Sequence, residues 1–202
     1  MEEFLSQFQY IPIWFKVLYT SFVLVLIPVY WKHYGPANFL WFSDISLFTL
    51  AFALWFQSSI LTSMMALGVL FPEIVWNIDY FARLIFGKKL IGLSHYMFEK
   101  DKPLFLRALS LFHVIIPPLL LWMLMLYGYS ENAPFFQTIL AWIVLAVCYF
   151  FTTPLMNINW VFGPGSIPQN KISPKIYFLL ILLFFPICIY LPIHFLLRYI
   201  FN

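Results

Sequence analysis

Six long apolar segments follow one another along this chain, and they constrain its fold more than any other feature of the sequence. A helix needs roughly 20 apolar residues to cross the hydrocarbon of a bilayer. The sequence therefore predicts an all-α integral membrane protein, a bundle of six transmembrane helices that forms one domain over residues 1–202. The predicted spans are 11–31, 39–56, 59–78, 104–127, 135–152 and 176–200.

The composition agrees with a membrane domain. The chain is 63% hydrophobic and 9% charged, whereas a soluble domain carries about 25% charged residues. Its 22% aromatic content suits side chains that meet lipid and headgroups. The net charge of +3 does not indicate nucleic acid, because the basic residues are needed to orient the helices. Membrane lipids are the predicted partners, and protein partners stay open.

The basic residues lie mostly on one side of the predicted bundle. Nine of the 11 Lys and Arg residues fall on or beside the first, third and fifth connections, and only Lys16 and Arg198 fall on the other side. The positive-inside rule makes the side with nine cytoplasmic, so both chain ends are predicted outside. The nine are Lys32, Arg83, Lys88, Lys89, Lys100, Lys102, Arg107, Lys171 and Lys175.

The connections constrain the order of the helices. Gln57-Ser58-Ser59 predicts a tight hairpin between the second and third spans, and residues 130–134 predict a turn between the fourth and fifth. The first three spans run opposite to the last three, so any similarity between the halves would be a 3+3 inverted repeat. Phe71-Pro72 with Phe81 has the same spacing as Phe185-Pro186 with Phe195, which allows such a repeat.

Three acidic or imidazole side chains lie inside the apolar segments, toward the cytoplasmic side. Such a group costs about 2.5–3.5 kcal/mol on insertion scales, so it indicates function. We predict Glu73 as a base or ligand, His113 as an acid–base group or ligand, and Asp44 as an orienting carboxylate. Structural alternatives exist for all three. Glu73 could pair with Arg107 or Lys32, His113 could be a neutral hydrogen-bonded residue, and the helix dipole could favour Asp44.

Further polar residues extend this candidate site. A stripe of small and polar side chains on the third span should point into the bundle, and it comprises Ser59, Ser63, Ala66, Glu73 and Asn77. The segment around Asn157 and Asn159 is too apolar for a free loop. We therefore expect a short interfacial or re-entrant segment whose side-chain amides hydrogen-bond to backbone groups that no helix satisfies. Asp79 and Arg83, four residues apart, predict an ion pair. The predicted substrate-binding residues are Arg107, Ser110, Asn77, Asn157, Asn159 and His33.

The sequence does not decide which cofactor, if any, the chain binds. His33, Asp44, Glu73 and His113 could supply nitrogen and oxygen ligands suited to zinc or iron. The sequence has no His-x-x-x-His, His-Glu-x-x-His or paired-cysteine spacing. It also has no nucleotide, haem or flavin motif. A divalent metal is therefore one option for these side chains and not a requirement.

Three stretches carry a resemblance to known proteins: YGPANFLWFSD at 34–44, LSLFH at 109–113 and NINWVFG at 157–163. With them the chain resembles a group of small uncharacterised six-helix inner-membrane proteins of bacteria. The resemblance covers most of the chain and implies a location in the bacterial inner membrane. It implies no activity.

Three functions are compatible with these patterns. The gathered polar groups predict an intramembrane pocket, open to the cytoplasmic side, that binds, hydrolyses or otherwise modifies a lipophilic substrate. The first alternative is a small-solute or proton-coupled transporter with Glu73 and His113 as its relay. The second is a structural or assembly subunit of the membrane. The sequence does not decide whether the chain is an enzyme.

Overall fold

A computed structural model describes residues 10–165 and 167–201, and every regular element in these two ranges is helical. The helices are α1 (Ile13–Tyr34), α2 (Phe42–Phe56), α3 (Ser59–Phe86), α4 (Leu104–Leu109), α5 (Phe112–Tyr127), α6 (Ala133–Phe151), α7 (Pro174–Phe184) and α8 (Leu191–Phe201). Five helical stretches are long and apolar enough to cross a membrane, with α4–α5 and α7–α8 each counted as one. The protein is therefore an all-helical membrane protein. The two chain ends, predicted outside, are not among the described residues.

The second apolar segment departs most from the prediction. Gly35 ends α1 with a φ of +78°, and Pro36–Leu40 then form a 3-10 turn, so α2 begins only at Phe42. Its 15 residues cover about 22 Å, which is short of a hydrocarbon core of about 30 Å. The segment 39–56 is thus not one continuous spanning helix, and the total of six spans stays a prediction.

The hairpin between α2 and α3 forms where the sequence predicts it. Gln57 takes a left-handed conformation with a φ of 51°, and the Ser58 hydroxyl caps α3 by accepting a hydrogen bond from the backbone N–H of Leu61. The helix α3 continues to Phe86, eight residues past the predicted end at 78, and packs against α2, α5 and α6. It is therefore the central element of the bundle.

Two predicted spans are helices with an irregular turn. Between α4 and α5 the backbone N–H of Leu111 donates to the carbonyl of Ala108 at 3.1 Å, which is a 3-10 pattern. The last span contains a π-helical turn, Phe185–Tyr190, between α7 and α8. Proline cannot donate the hydrogen bond of a regular helix, and Pro186 lies in this turn. Both breaks are of the kind that often marks functional positions.

The ion pair predicted between Asp79 and Arg83 does not form. The Asp79 carboxylate instead accepts hydrogen bonds from the connection that follows α3, including the Ser94 hydroxyl at 2.7 Å. Arg83 contacts Nδ1 of His95 at 2.7 Å. Helical spacing predicted this interaction wrongly, because the connection folds back onto α3 and supplies both residues with other partners.

The contact between α3 and α6 depends on a glycine. A Cβ atom at Gly68 would lie 2.5 Å from Nε2 of Gln137, whose side chain is buried. Glycine at this position therefore leaves room for a polar side chain inside the bundle.

We expect Gly68→Ala to lower the free energy of unfolding by about 1–2 kcal/mol, because the new methyl group overpacks the buried Gln137 amide. The measurement is denaturation of the purified protein in mixed micelles. In a Gln137→Ala background the same substitution should be neutral or stabilising, since alanine is otherwise the better helix residue. An equal loss in both backgrounds would contradict this contact.

Candidate functional site

Glu73 and His113 form a buried carboxylate–imidazole pair between α3 and α5. Oε2 of Glu73 lies 2.8 Å from Nδ1 of His113. The two side chains are 4% and 13% exposed, respectively. Glu73 therefore pairs with His113, and not with Arg107 or Lys32, the alternative partners suggested by the sequence.

The imidazole is held in one orientation by its neighbours. Its ring stacks on Trp76, with ring centroids 4.5 Å apart, and on Phe112, with centroids 4.2 Å apart. Asn77 Nδ2 donates to the backbone carbonyls of both Glu73 and His113, each at 2.8 Å. The amide fixes the spacing of the two helices at the point where the pair forms.

This geometry gives His113 a defined chemistry. When Glu73 is ionised it accepts the hydrogen of Nδ1, so the lone pair of a neutral imidazole is on Nε2. A carboxylate that holds an imidazole in this tautomer is the arrangement by which hydrolases orient a general base. The pair can therefore accept and return a proton through Nε2.

Asp44 belongs to the same region but makes no direct hydrogen bond to the pair. It lies in the first turn of α2, is 3% exposed, and interacts electrostatically with His113 and Glu73. Its Oδ2 accepts a long hydrogen bond of 3.4 Å from Asn38 Nδ2. Its buried Oδ1 has no hydrogen-bond partner among the described residues. Asp44, Glu73 and His113, which the sequence predicts together, therefore lie in one region. One carboxylate oxygen of Asp44 has no hydrogen-bond partner there.

Two tyrosines complete the cluster, and sequence reasoning missed both. The hydroxyls of Tyr30 and Ser110 lie 2.7 Å apart, and Ser110 Oγ donates to the Leu106 carbonyl at 3.2 Å. Tyr96, from the connection 87–103, is near Ser110 and Tyr30, and its ring centroid lies 6.4 Å from that of Trp76. Since the one hydroxyl hydrogen of Ser110 is used by Leu106, Tyr30 is the donor in its contact with Ser110. The only sequence signal was the placement of Tyr30 one turn from the end of α1.

Arg107 is next to this cluster and is not part of an ion pair in the described chain. Its Nη1 donates to the Met97 carbonyl at 3.1 Å, and its buried Nε has no hydrogen-bond partner there. The guanidinium therefore keeps donor capacity, as an anion-binding role requires.

The two asparagines predicted to bind substrate make hydrogen bonds to backbone groups instead. Asn157 Nδ2 donates to the carbonyls of Gly163 and Gly165 at 2.8 and 2.9 Å. Asn159 Oδ1 accepts from the backbone N–H of Phe42 at 3.1 Å, and its Nδ2 donates to Leu40. The expectation that these amides satisfy broken backbone is confirmed, and we leave both out of the proposed site.

His33 does not join the cluster. Its side chain is exposed, its Nδ1 interacts with the Val29 carbonyl of its own helix at 2.8 Å, and its ring packs edge-on against Phe105. Among the described residues no group of three or more His, Cys, Asp and Glu side chains is placed to hold a metal ion. A metal site built from His33, Asp44, Glu73 and His113 is therefore not proposed.

Two grooves on the bundle surface lie outside the cluster, and one of them runs beside it. One groove of about 380 Å³ runs between α3 and α5 and is lined by Asn77 and by apolar residues that include Ile78 and Pro117. A second, of about 480 Å³, lies along α7 near Trp160. Neither groove is lined by Asp44, Glu73 or His113. Asp44 and Glu73 are each 3% exposed, so the pocket predicted at these residues is not open to solvent in this conformation.

Comparison of the chain with protein-family models, with curated proteins and with solved structures gave no match. No family identity therefore constrains the chemistry of the cluster, and the resemblance to small bacterial membrane proteins stays a prediction.

Proposed function

We propose that this protein binds a lipophilic substrate from the cytoplasmic leaflet of a bacterial inner membrane, and that His113 exchanges a proton with that substrate. Glu73 orients the imidazole, and Asp44 adds a second carboxylate to its surroundings. The buried Glu73–His113 contact of 2.8 Å carries the proposal. Two ionisable groups inside an apolar bundle cost free energy, and apolar side chains of similar size would hold the helices at least as well.

In the proposed topology the bundle has six spans, and the second consists of α2 with the 3-10 turn before it. The nine basic residues on one side support a cytoplasmic location for that side and an outer location for both chain ends. The halves would then run in opposite directions, as a 3+3 inverted repeat requires.

The groove between α3 and α5 supports the proposal that the substrate is apolar. It opens on the outer surface of the bundle, where a membrane protein meets acyl chains. Its one polar lining residue is Asn77, the amide that bridges the backbone of Glu73 and His113. An acyl chain in this groove would bring its polar end toward the pair.

The test is whether a lipid co-purifies with the protein and depends on the pair. The wild-type protein and the variants His113→Asn and Glu73→Gln would each be extracted into polymer nanodiscs. Mass spectrometry would then compare the lipid that each one retains. Asparagine keeps a donor at the position of Nδ1 and removes Nε2. We expect at least about a tenfold loss of the enriched lipid in both variants, which corresponds to about 1.4 kcal/mol.

Matched controls exist on the opposite side of the bundle. Glu131 pairs with Arg198 at 3.0 Å, and His194 Nδ1 lies 2.7 Å from the Tyr129 hydroxyl. Glu131→Gln and His194→Asn make the same chemical changes away from the cluster and should retain the lipid. Unchanged lipid in both site variants would rule out the proposed role and leave the pair a structural one.

A proton-coupled transporter is the second candidate, because buried polar groups also lie away from the cytoplasmic cluster. Gln137 and Tyr190 are buried within interaction distance of each other, and Tyr190 ends the π-helical turn. Proton uptake by proteoliposomes would distinguish the two functions. Uptake that is lost in Gln137→Leu as well as in Glu73→Gln would favour transport, since lipid binding at the cluster does not require Gln137.

A further inference from the structure

The connection between α3 and α4, residues 87–103, folds back along α3 and is fixed there by one carboxylate. Asp79 Oδ1 accepts the backbone N–H groups of Ile91 and Gly92 at 2.8 and 2.9 Å. Its Oδ2 accepts the backbone N–H of Ser94 at 2.9 Å and the Ser94 hydroxyl at 2.7 Å. Asp79 and Ser94 are both buried. Hydrogen bonds to an ionised acceptor are the stronger kind, so this is a firm attachment.

The attachment brings one side chain of the connection into the cluster. Tyr96 lies two residues after Ser94 and is close enough to Ser110, Tyr30, Glu73 and Asp44 to interact with them electrostatically. Its ring lies 6.4 Å from that of Trp76, the residue that stacks on His113. Burial raises the pKa of the Tyr96 hydroxyl well above its ordinary value, so the hydroxyl stays a neutral donor.

Other contacts hold the same connection over the cytoplasmic end of the bundle. The Lys102 ammonium lies 5.2 Å from the centre of the Tyr96 ring and 5.9 Å from that of Tyr34. Arg83 lies over the ring of Phe98 at 4.6 Å. The connection is therefore a packed cover, and it accounts for the closed state of the predicted pocket.

We propose that residues 87–103 are a strap that closes the Glu73–His113 cluster from the cytoplasm, that Tyr96 is a further residue of that site, and that Asp79 is the positioning residue that holds the strap shut. The role of Tyr96 toward a ligand rests on the proposed function, but the closure of the strap does not. Opening breaks the four hydrogen bonds to Asp79 together and withdraws Tyr96 from the cluster.

Asp79→Asn tests the attachment. The amide has one acceptor oxygen in place of two and presents N–H to the donors of the strap. Hydrogen exchange of the peptide containing Ile91, Gly92 and Ser94 should become at least about tenfold faster, because bonds to a charged group are lost. Carbethoxylation of His113 by diethyl pyrocarbonate, relative to the exposed His33 of the same molecule, should increase by a similar factor.

Two variants keep the result interpretable. Ser94→Ala removes one of the four bonds and should give a smaller increase in both readouts, even if Asp79→Asn folds poorly. Asp101→Asn changes an exposed acid of the same connection and should change neither readout. Unchanged exchange in Asp79→Asn would overturn the attachment, and faster exchange without faster modification of His113 would overturn the closure.

Tyr96→Phe separates the strap from the proposed function. It keeps the ring and removes the hydroxyl, so exchange at Ile91–Ser94 should stay as in the wild type while retained lipid falls by at least about tenfold. Retained lipid at the wild-type level would remove Tyr96 from the site and leave the strap intact. If instead Glu73→Gln and His113→Asn keep their lipid, the proposed function fails, and the Asp79→Asn results still decide the strap.

Discussion

His113→Ala is expected to lower the free energy of unfolding by about 3–5 kcal/mol, because it leaves the buried Glu73 carboxylate without its partner. It also removes the ring that stacks on Trp76 and Phe112. The measurement is reversible unfolding in mixed micelles, followed by a probe that reports helix loss. Little of this free energy is recovered by water, since the carboxylate is 4% exposed.

Three further variants separate charge pairing from stacking. His113→Phe keeps the stacked ring but leaves Glu73 without a hydrogen-bond donor. Most of the decrease in unfolding free energy should therefore remain. His113→Asn keeps a donor for Glu73 and should lose less. The double variant Glu73→Leu/His113→Phe replaces both partners by apolar groups and should return to within about 1 kcal/mol of the wild type. A His113→Phe protein as stable as the wild type would show that Glu73 does not depend on its partner.

Asn159→Ala is expected to lower the free energy of unfolding by about 3 kcal/mol, because this one side chain joins two segments that are distant in sequence. Its Oδ1 caps α2 at Phe42, whereas the local cap residue, Trp41, offers no side-chain acceptor. Its Nδ2 donates to Leu40, and its own φ of +50° is a left-handed conformation that alanine adopts poorly. Unfolding free energy and protease sensitivity of the segment around residue 159 are the measurements.

The separate contributions of Asn159 can be resolved by substitution. Asn159→Gly tolerates the left-handed backbone and should recover about 1 kcal/mol of the loss. Asn159→Asp keeps the acceptor for Phe42 but places an anionic oxygen against the Leu40 carbonyl, so it should be no more stable than the glycine variant. Asn170→Ala, at an exposed asparagine of the same segment, should change stability by no more than about 0.5 kcal/mol. Equal stability of Asn159→Ala and wild type would contradict the cap.

Apolar length alone predicted most of the helices. The span predicted at 135–152 corresponds to Ala133–Phe151, and that at 176–200 falls within Pro174–Phe201. The hairpin at Gln57 was also predictable, because a polar tripeptide between two apolar runs leaves no other connection. The length of α2 was not predictable in this way, since the 3-10 turn that follows Gly35 continues through Phe39 and Leu40, the first residues of the apolar run.

The candidate site was predictable only in part. Glu73 and His113 stood out because ionisable groups inside apolar segments are costly, and helical periodicity placed Glu73 on an inward stripe. Their partners depend on contacts between residues far apart in sequence. Asn159 reaches Phe42 across 117 positions, and Tyr96 enters the cluster only because Asp79 folds the connection back. Local spacing favoured an Asp79–Arg83 ion pair, because it depends only on residues close in sequence. It does not predict these long-range hydrogen bonds.

The short helix α2 has a consequence for the surrounding bilayer. Its 15 residues cover about 22 Å, so wherever this helix alone meets lipid the hydrocarbon layer must thin locally. A protein of this shape would partition toward thin regions of the membrane and gather short acyl chains around α2. That preference comes from a mismatch in length and requires no recognition of any headgroup.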